Sequence, residues 1–259
     1  MPPKTTAPKA TAPKTTAKPS TTEVHARLRS LIIGGEIPPD TKINIVALAR
    51  DLGVSQTPVR EALQRLEGDN LITYRPGRGY STTPLLDLPG LRALFEFRLL
   101  VEPWAARAAA VDRLTNPGAA LGRQLDDFEG LLARRAKGGP DPDVRDVRDV
   151  RDVRQELVAH DAAFHAAVIT ASGNSVVEQA YGQTHCHLHT FRLYPEEIDT
   201  ANTVVEHRRI SAAIGRCEPG AAEEAMADHL RSSFERFARA FGDPGAASAP
   251  EVPPRRFLA

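Results

Sequence analysis

Four ionisable side chains fall where three amphipathic segments should be apolar. The stripe through 157–168 reads Leu157, Asp161, Phe164, His165, Val168; that through 204–214 reads Val204, His207, Ile210, Ile214. A third, through 219–237, reads Ala222, Met226, His229, Ser233, Phe237. In helices these spacings share one face. A buried carboxylate or imidazole is costly unless it finds polar partners or a metal. Asp161 and His165 lie four residues apart, about one turn. With His207 and His229 they form an Asp-His-His-His set suited to a divalent transition metal with open coordination positions. Any one of these histidines taken alone reads as a hydrogen-bonded core residue; four such groups on three inner faces favour metal. Two competitors are nearby. His160 adjoins Asp161, and the run 185–189 sets His185 and His189 one turn apart around Cys186. Residues two apart diverge on a helix, so His187 cannot join that pair. A single histidine of this run lining the same cavity is favoured over a second metal site.

A second group of residues suits nucleic acid. The string ARDLGVSQTPVREALQRLE sets a short helix, a glycine turn and a second amphipathic helix in succession, the helix-turn-helix layout. The second helix of that motif enters the major groove by its N-terminal end. That end offers Ser55, Gln56, Thr57 and Arg60. Gln and Arg can make paired hydrogen bonds to purine edges, and Thr can reach bases or phosphate. A following turn with Arg75, Gly77, Arg78 and Gly79 suits a wing whose backbone approaches phosphates closely. The plain alternative for Gln56 and Arg60 is two solvated helix residues.

The elements that must position these groups follow from composition and periodicity. The 259 residues carry 33 basic and 33 acidic side chains, and 41% are hydrophobic, which excludes a wholly disordered chain. Charge is uneven: residues 1–85 hold 12 Lys/Arg against 7 Asp/Glu, so the front is basic and the remainder acidic. Residues 1–22, Pro/Lys/Thr/Ala-rich, are expected to be a disordered basic tail, either weakly attracted to DNA or merely solubilising. The spacing predicts a helix from Val24 to Ile33, a second around Val46–Leu52, and a third capped by Ser55 with Pro58 in its first turn. Two short strands follow in 71–83. Beyond Leu88 everything reads as helix: 89–112, 117–137, 155–171, 174–193, 202–216 and 219–241. Four Asp-Val-Arg triplets at 143–154 cannot keep valine on one face. They read as a solvated insertion or a helix extension, with no function assigned. The expected fold class is therefore mainly α. A winged helix-turn-helix with a small β-wing spans 23–85, an all-α antiparallel bundle spans 88–241, and 242–259 form a flexible tail. Two cysteines, no apolar leader and no apolar run of membrane length point to a cytoplasmic, nucleoid-associated protein.

Residues 24–85 resemble the winged helix-turn-helix of the GntR family of bacterial transcription regulators, through LRSLIIGGEIPPDTKI, LARDLGVSQTPVREALQRLEGDNLI and RPGRGY. The resemblance implies DNA contacts by Thr57, Arg60 and the Gly77–Gly79 wing. Relatives often carry Arg where this chain has Gln56, and another where it has Val46, which implies a different operator. LFEFRLLVEPWAARAAA, HDAAFHAAVITASGN, EHRRISAAI and AMADHL resemble the ligand-sensing FCD domain of the FadR subfamily, an all-helical antiparallel bundle. In that domain the positions of Asp161, His165, His207 and His229 hold zinc or nickel. Effectors are small organic acids, some bound at the metal, and Arg98 and Asn174 match positions near the cavity. The resemblance thus implies a homodimeric, ligand-responsive regulator, a repressor on an inverted-repeat operator of double-stranded DNA, and not an enzyme. The rivals are a metal-dependent enzyme, against which no general base or second catalytic motif stands out, and a regulator whose metal is purely structural.

Overall fold

The computed structural model describes residues 19–138, 147–193, 200–242 and 250, with the side chains of 135–138, 147–155 and 200 left aside. Helix α1, Thr21–Ile33, starts ahead of its apolar stripe because Ser20 and Glu23 form a capping box. This moves the edge of the basic segment back by two residues; the expected disorder of 1–18 lies outside the described residues. Asn44 caps α2, Ile45–Asp51, by accepting from the Val46 and Ala47 N–H groups at 3.1 Å. Helix α3, Gln56–Gly68, follows the turn at Gly53 and buries Val59, Ala62, Leu63 and Leu66 against α1 and α2. Ser55 occupies its N-cap position, yet its hydroxyl makes no capping bond.

Strands β1, Ile72–Arg75, and β2, Gly79–Thr82, pair antiparallel with Ile72 opposite Thr82 and Arg75 opposite Gly79. The turn between them needs Gly77 and Gly79, whose φ values of +76° and +82° L side chains rarely adopt. A short segment then leads to α4, Leu88–Ala109, capped by Asp87.

Helices α5 (Gly118–Gly138), α6 (Val147–Ala171), α7 (Ser175–Thr184), α8 (Cys186–Arg192), α9 (Thr200–Gly215) and α10 (Pro219–Ala238) complete the bundle, with a 3-10 turn at Arg239–Phe241. Helix α10 packs on α4 and α9, with Phe95 edge-on to Phe234, and α5 packs on α9. Gly118 and Gly215 let α5 and α9 nearly touch: a Cβ on Gly118 would lie 2.4 Å from Gly215 Cα.

Two expectations change. The single helix expected over 174–193 is two, broken at His185, whose φ of +45° ends α7 and re-aims α8. The Asp-Val-Arg run from Val147 onward continues the backbone of α6, so for this part extension is the correct alternative; 143–146 fall outside the described residues. The tail expected over 242–259 lies almost wholly outside them too. Among the described residues no helix is long and apolar enough to cross a membrane.

Candidate metal centre

Helix α6 brings Asp161 and His165 inward, α9 brings His207 and α10 brings His229. All four are buried, and their nearest ligand atoms lie within 4.8 Å of one another. His165 Nε2 stands 3.2 Å from His229 Nε2 and 3.7 Å from Asp161 Oδ1, and His207 Nε2 stands 3.4 Å from the same Oδ1. Bonds of 2.0–2.1 Å to a tetrahedral zinc imply ligand–ligand edges of roughly 3.3 Å, so these three separations fit such an ion, and the widest in the group, up to 4.8 Å, asks for a small inward shift.

The ring orientations also fit. His229 Nδ1 donates to Glu206 Oε2 at 2.7 Å, and His165 Nδ1 lies 2.5 Å from Glu102 Oε2. The His229 Nδ1 proton faces a carboxylate and leaves the Nε2 lone pair to the centre; His165 Nδ1 touches Glu102 without an aligned hydrogen bond, and its neutral ring can turn an Nε2 lone pair the same way. In that form two lone pairs and a carboxylate oxygen converge, an arrangement that a cation among them stabilises. His207, packed flat on Phe164 at 4.0 Å, has neither ring nitrogen hydrogen-bonded among the described residues although both are buried. Buried polar atoms are rarely left so. A divalent ion held by Asp161, His165, His207 and His229 answers both features.

The supporting carboxylates are themselves fixed. Arg98 Nε donates to Glu102 Oε1 at 2.5 Å, and Arg236 donates to both oxygens of Glu206 at 2.8 Å. Tyr181 donates its one hydroxyl proton to Glu102 Oε1 at 2.9 Å, so at 2.8 Å it must accept from His187 Nε2. His187 Nδ1 in turn donates to Asp161 Oδ2 at 2.6 Å. With both nitrogens donating, His187 is an imidazolium. Burial lowers its pKa, but Cys186 and Asp161 outweigh burial and raise it to about 10. For Asp161 burial acts upward, and His187, His207 and His165 together hold the carboxyl well below its usual range. Burial pushes His165 down to about 4 despite Glu102, and takes His207 well below its ordinary value. The rings are thus neutral at neutral pH, the form that binds metal.

A cavity of about 10 Å³ adjoins Asp161 and His229, with Arg98, Thr190, Phe191, Thr203 and Ser233 in its wall. Arg98 is among the lining residues, although Glu102 engages its guanidinium. Asn174 is not: it is exposed and caps α7, its side chain accepting from the Val176 and Val177 N–H groups. An Asn just after Gly173 serves the helix start and cannot also reach the cavity. His185 and His189 stay one turn apart at the start of α8, with the His189 N–H donating to the His185 carbonyl at 3.2 Å, but neither joins the four-residue group, and His187 turns inward instead. His160 stacks on Phe128 at 4.1 Å and stays out of the four-ligand group. His187 is the single histidine of the 185–189 run that reaches the centre, while Glu102, Tyr181, Glu206 and Arg236 are additions that the sequence pattern did not single out. Of these, Glu102 carries the same signal as Asp161, an acid in an apolar stripe with Phe95, Leu99 and Ala106.

At the other end of the chain, Ser55, Gln56, Thr57 and Arg60 are exposed around the N-terminus of α3. Arg75, Gly77 and Arg78 are exposed on the turn, and Gly79 is half-buried beside them. Val46 is 62% exposed at the start of α2.

Comparison with known proteins agrees with both halves. Residues 20–81 match the family described as bacterial regulatory proteins, gntR family, and residues 93–232 match the FCD domain. The chain is 24% identical over 219 residues to the HTH-type transcriptional regulator YdhC of Bacillus subtilis strain 168, covering 84% of this chain and 90% of that one. It is 25% identical over 231 residues to a protein of Paenarthrobacter nicotinovorans described as a probable D-xylose utilization operon transcriptional repressor, covering 87% and 94%. A solved GntR transcriptional regulator from Rhodococcus sp. RHA1 shares the fold, with a TM-score of 0.62 at 21% identity over 86% of this chain and 97% of that one. With a wing and recognition helix in front and a histidine-bearing bundle behind, each matched by its own family, the chain belongs to the GntR regulators that carry an FCD domain, and it is a transcription regulator, not an enzyme.

Proposed function

We propose that this regulator is a homodimeric repressor of the FadR subfamily that releases an inverted-repeat operator when a small organic acid binds at a metal in its bundle. The division is at the segment after β2: 23–85 bind DNA and 88–241 sense the effector and dimerise. Gln56, Thr57 and Arg60 read bases in the major groove, Ser55 contacts phosphate with its uncapped hydroxyl, and Arg75, Gly77, Arg78 and Gly79 track the backbone. A dimer doubles these contacts and matches a palindrome by symmetry. The observation that carries the sensor reading is the buried Asp161–His165–His207–His229 set with its lone pairs converging.

Zinc, or nickel in its place, would be held by those four residues. The bound ion supplies a cationic anchor for an acid's carboxylate. Glu102 and Glu206 orient the rings, His187 holds the far oxygen of Asp161, and Arg98 and Thr190 border the space beside them. A second reading, a purely structural metal, draws support from the size of that space, room for about one water. Thermal melting of chelator-treated protein, with zinc and a panel of organic acids added separately and together, separates the two. A zinc-dependent shift by an acid supports the sensor. A shift by zinc alone, unmoved by any acid, supports the structural metal. No uptake of zinc or nickel refutes both.

A further inference from the structure

Helix α8 touches both halves of the chain. His187 in its first turn holds Asp161 Oδ2, and Thr190 and Phe191 form part of the cavity wall. Its last residue, Arg192, is 8% exposed and grips the segment that leaves the wing. Arg192 Nη1 donates to Thr83 Oγ1 at 2.8 Å, and Nη2 donates to the Thr83 carbonyl at 2.7 Å. Thr83 passes the connection on: its hydroxyl donates to the Asn70 carbonyl at 2.8 Å and its N–H to the Leu71 carbonyl at 3.0 Å. Asn70 and Leu71 are themselves bonded back to Glu67 and Leu66 in the last turn of α3. Polar bonds and one rigid helix therefore run without a gap from a ligand of the centre to the end of the recognition helix.

Resting on the metal reading above, we propose that Arg192 is the positioning residue through which occupancy of the centre sets the winged domain. A bound ion fixes Asp161 Oδ1, and the other oxygen fixes His187. His187 and Arg192 are five residues apart on α8, so the helix transmits a displacement over about 7.5 Å without bending. The left-handed residue His185 at its start is the place where α8 can pivot. At the far end the planar guanidinium bonds two atoms of one residue, and this fixes direction as well as distance. Spatial continuity alone does not establish coupling, so the test must read both ends.

The experiment is hydrogen exchange on the full chain after chelation, with and without added zinc. In the wild type zinc should slow exchange in α6, α9 and α10, and also in 70–83, there by about fivefold or more, the lower end of ordinary allosteric coupling. Arg192→Gln should keep the slowing in α6, α9 and α10 and lose it in 70–83. Thr83→Val, of the same shape but without the hydroxyl, should lose it in part, and it decides alone if Arg192→Gln does not fold. Slowing of 70–83 at the wild-type level in Arg192→Gln, or in Thr83→Val where that variant decides, overturns the proposal. So does its absence from the wild type while the three site helices are protected. Zinc that protects none of those helices refutes the metal reading itself, and the coupling with it.

Discussion

Replacing His207 by Ala separates a metal ligand from a core residue because the two roles predict different quantities. In chelator the substitution deletes a fully buried ring stacked on Phe164, a change of the kind that costs about 3–5 kcal/mol for larger aromatics. It also removes two buried nitrogens without hydrogen bonds, each of which already costs the folded state about 1–3 kcal/mol. The two effects oppose, so the metal-free stabilities say little. The gain on adding zinc says more. At a hundredfold excess over its Kd, zinc stabilises the wild type by about 2.7 kcal/mol. For a chain of this size that is roughly a 5–11 °C rise in Tm, at about 2–4 °C per kcal/mol. If losing one of four ligands weakens binding by about a hundredfold, the upper range for lost supporting contacts, the same zinc only equals Kd. The gain then falls to about 0.4 kcal/mol, on the order of 1 °C. Melts of both proteins with and without zinc read this difference directly, whatever the metal-free loss. His160→Ala, which removes a buried histidine outside the ligand group, should keep the full gain. An equal zinc gain in His207→Ala and wild type would refute the assignment of His207.

Three other outcomes are expected. Arg60→Ala should abolish operator binding in a gel-shift assay while leaving the fold intact, since a lost bidentate base contact costs about 1–3 kcal/mol and the proposed dimer loses two; unchanged affinity would show that Arg60 reads nothing. In chelator the Tm should fall as pH drops from 6.5 towards 4, because His165, held at about 4, and His207, which burial also holds well below its ordinary value, take up protons in the unfolded chain before the folded one. A Tm flat across that window would show that these rings are not held neutral. Gly118→Ala should lower stability by about 1–3 kcal/mol in a denaturant titration, because its Cβ would meet the Gly215 backbone of α9, and a neutral result would mean the helices can part freely.

Much of the fold is legible because its signals are local. Pro58 in a first turn and the stripe Val59, Ala62, Leu63, Leu66 mark α3, and Gly77 and Gly79 mark a turn that needs positive φ. The break between α7 and α8 is not legible. It falls at His185, a residue that enters the left-handed region more often than most but far less often than glycine, inside a run whose apolar spacing continues on both sides. The start of α1 is missed for a related reason: Ser20 and Glu23 are polar, and a periodicity read from apolar residues begins only at Val24.

The same distinction governs the centre. Asp161, His165, His207 and His229 can be found in one dimension, because each contradicts the apolar stripe it sits in, and a contradiction is visible without knowing its neighbour. Glu102 is visible in the same way. Tyr181 is not, and of the 185–189 run it is visible only that one histidine would reach the cavity, not that it is His187, because their value lies in pairs made across helices: Tyr181 with Glu102 of α4, His187 with Asp161 of α6. Glu206 directly precedes His207 yet supports His229 on another helix, so even adjacency in sequence points to the wrong ligand. Candidate ligands announce themselves by the cost of burying them alone. The groups that offset that cost are defined only by distance, and α8 shows the consequence. A shift in its direction at one residue decides whether the histidine reaching Asp161 is His187 or one of the pair flanking it, and with it where Arg192 meets the DNA-binding half.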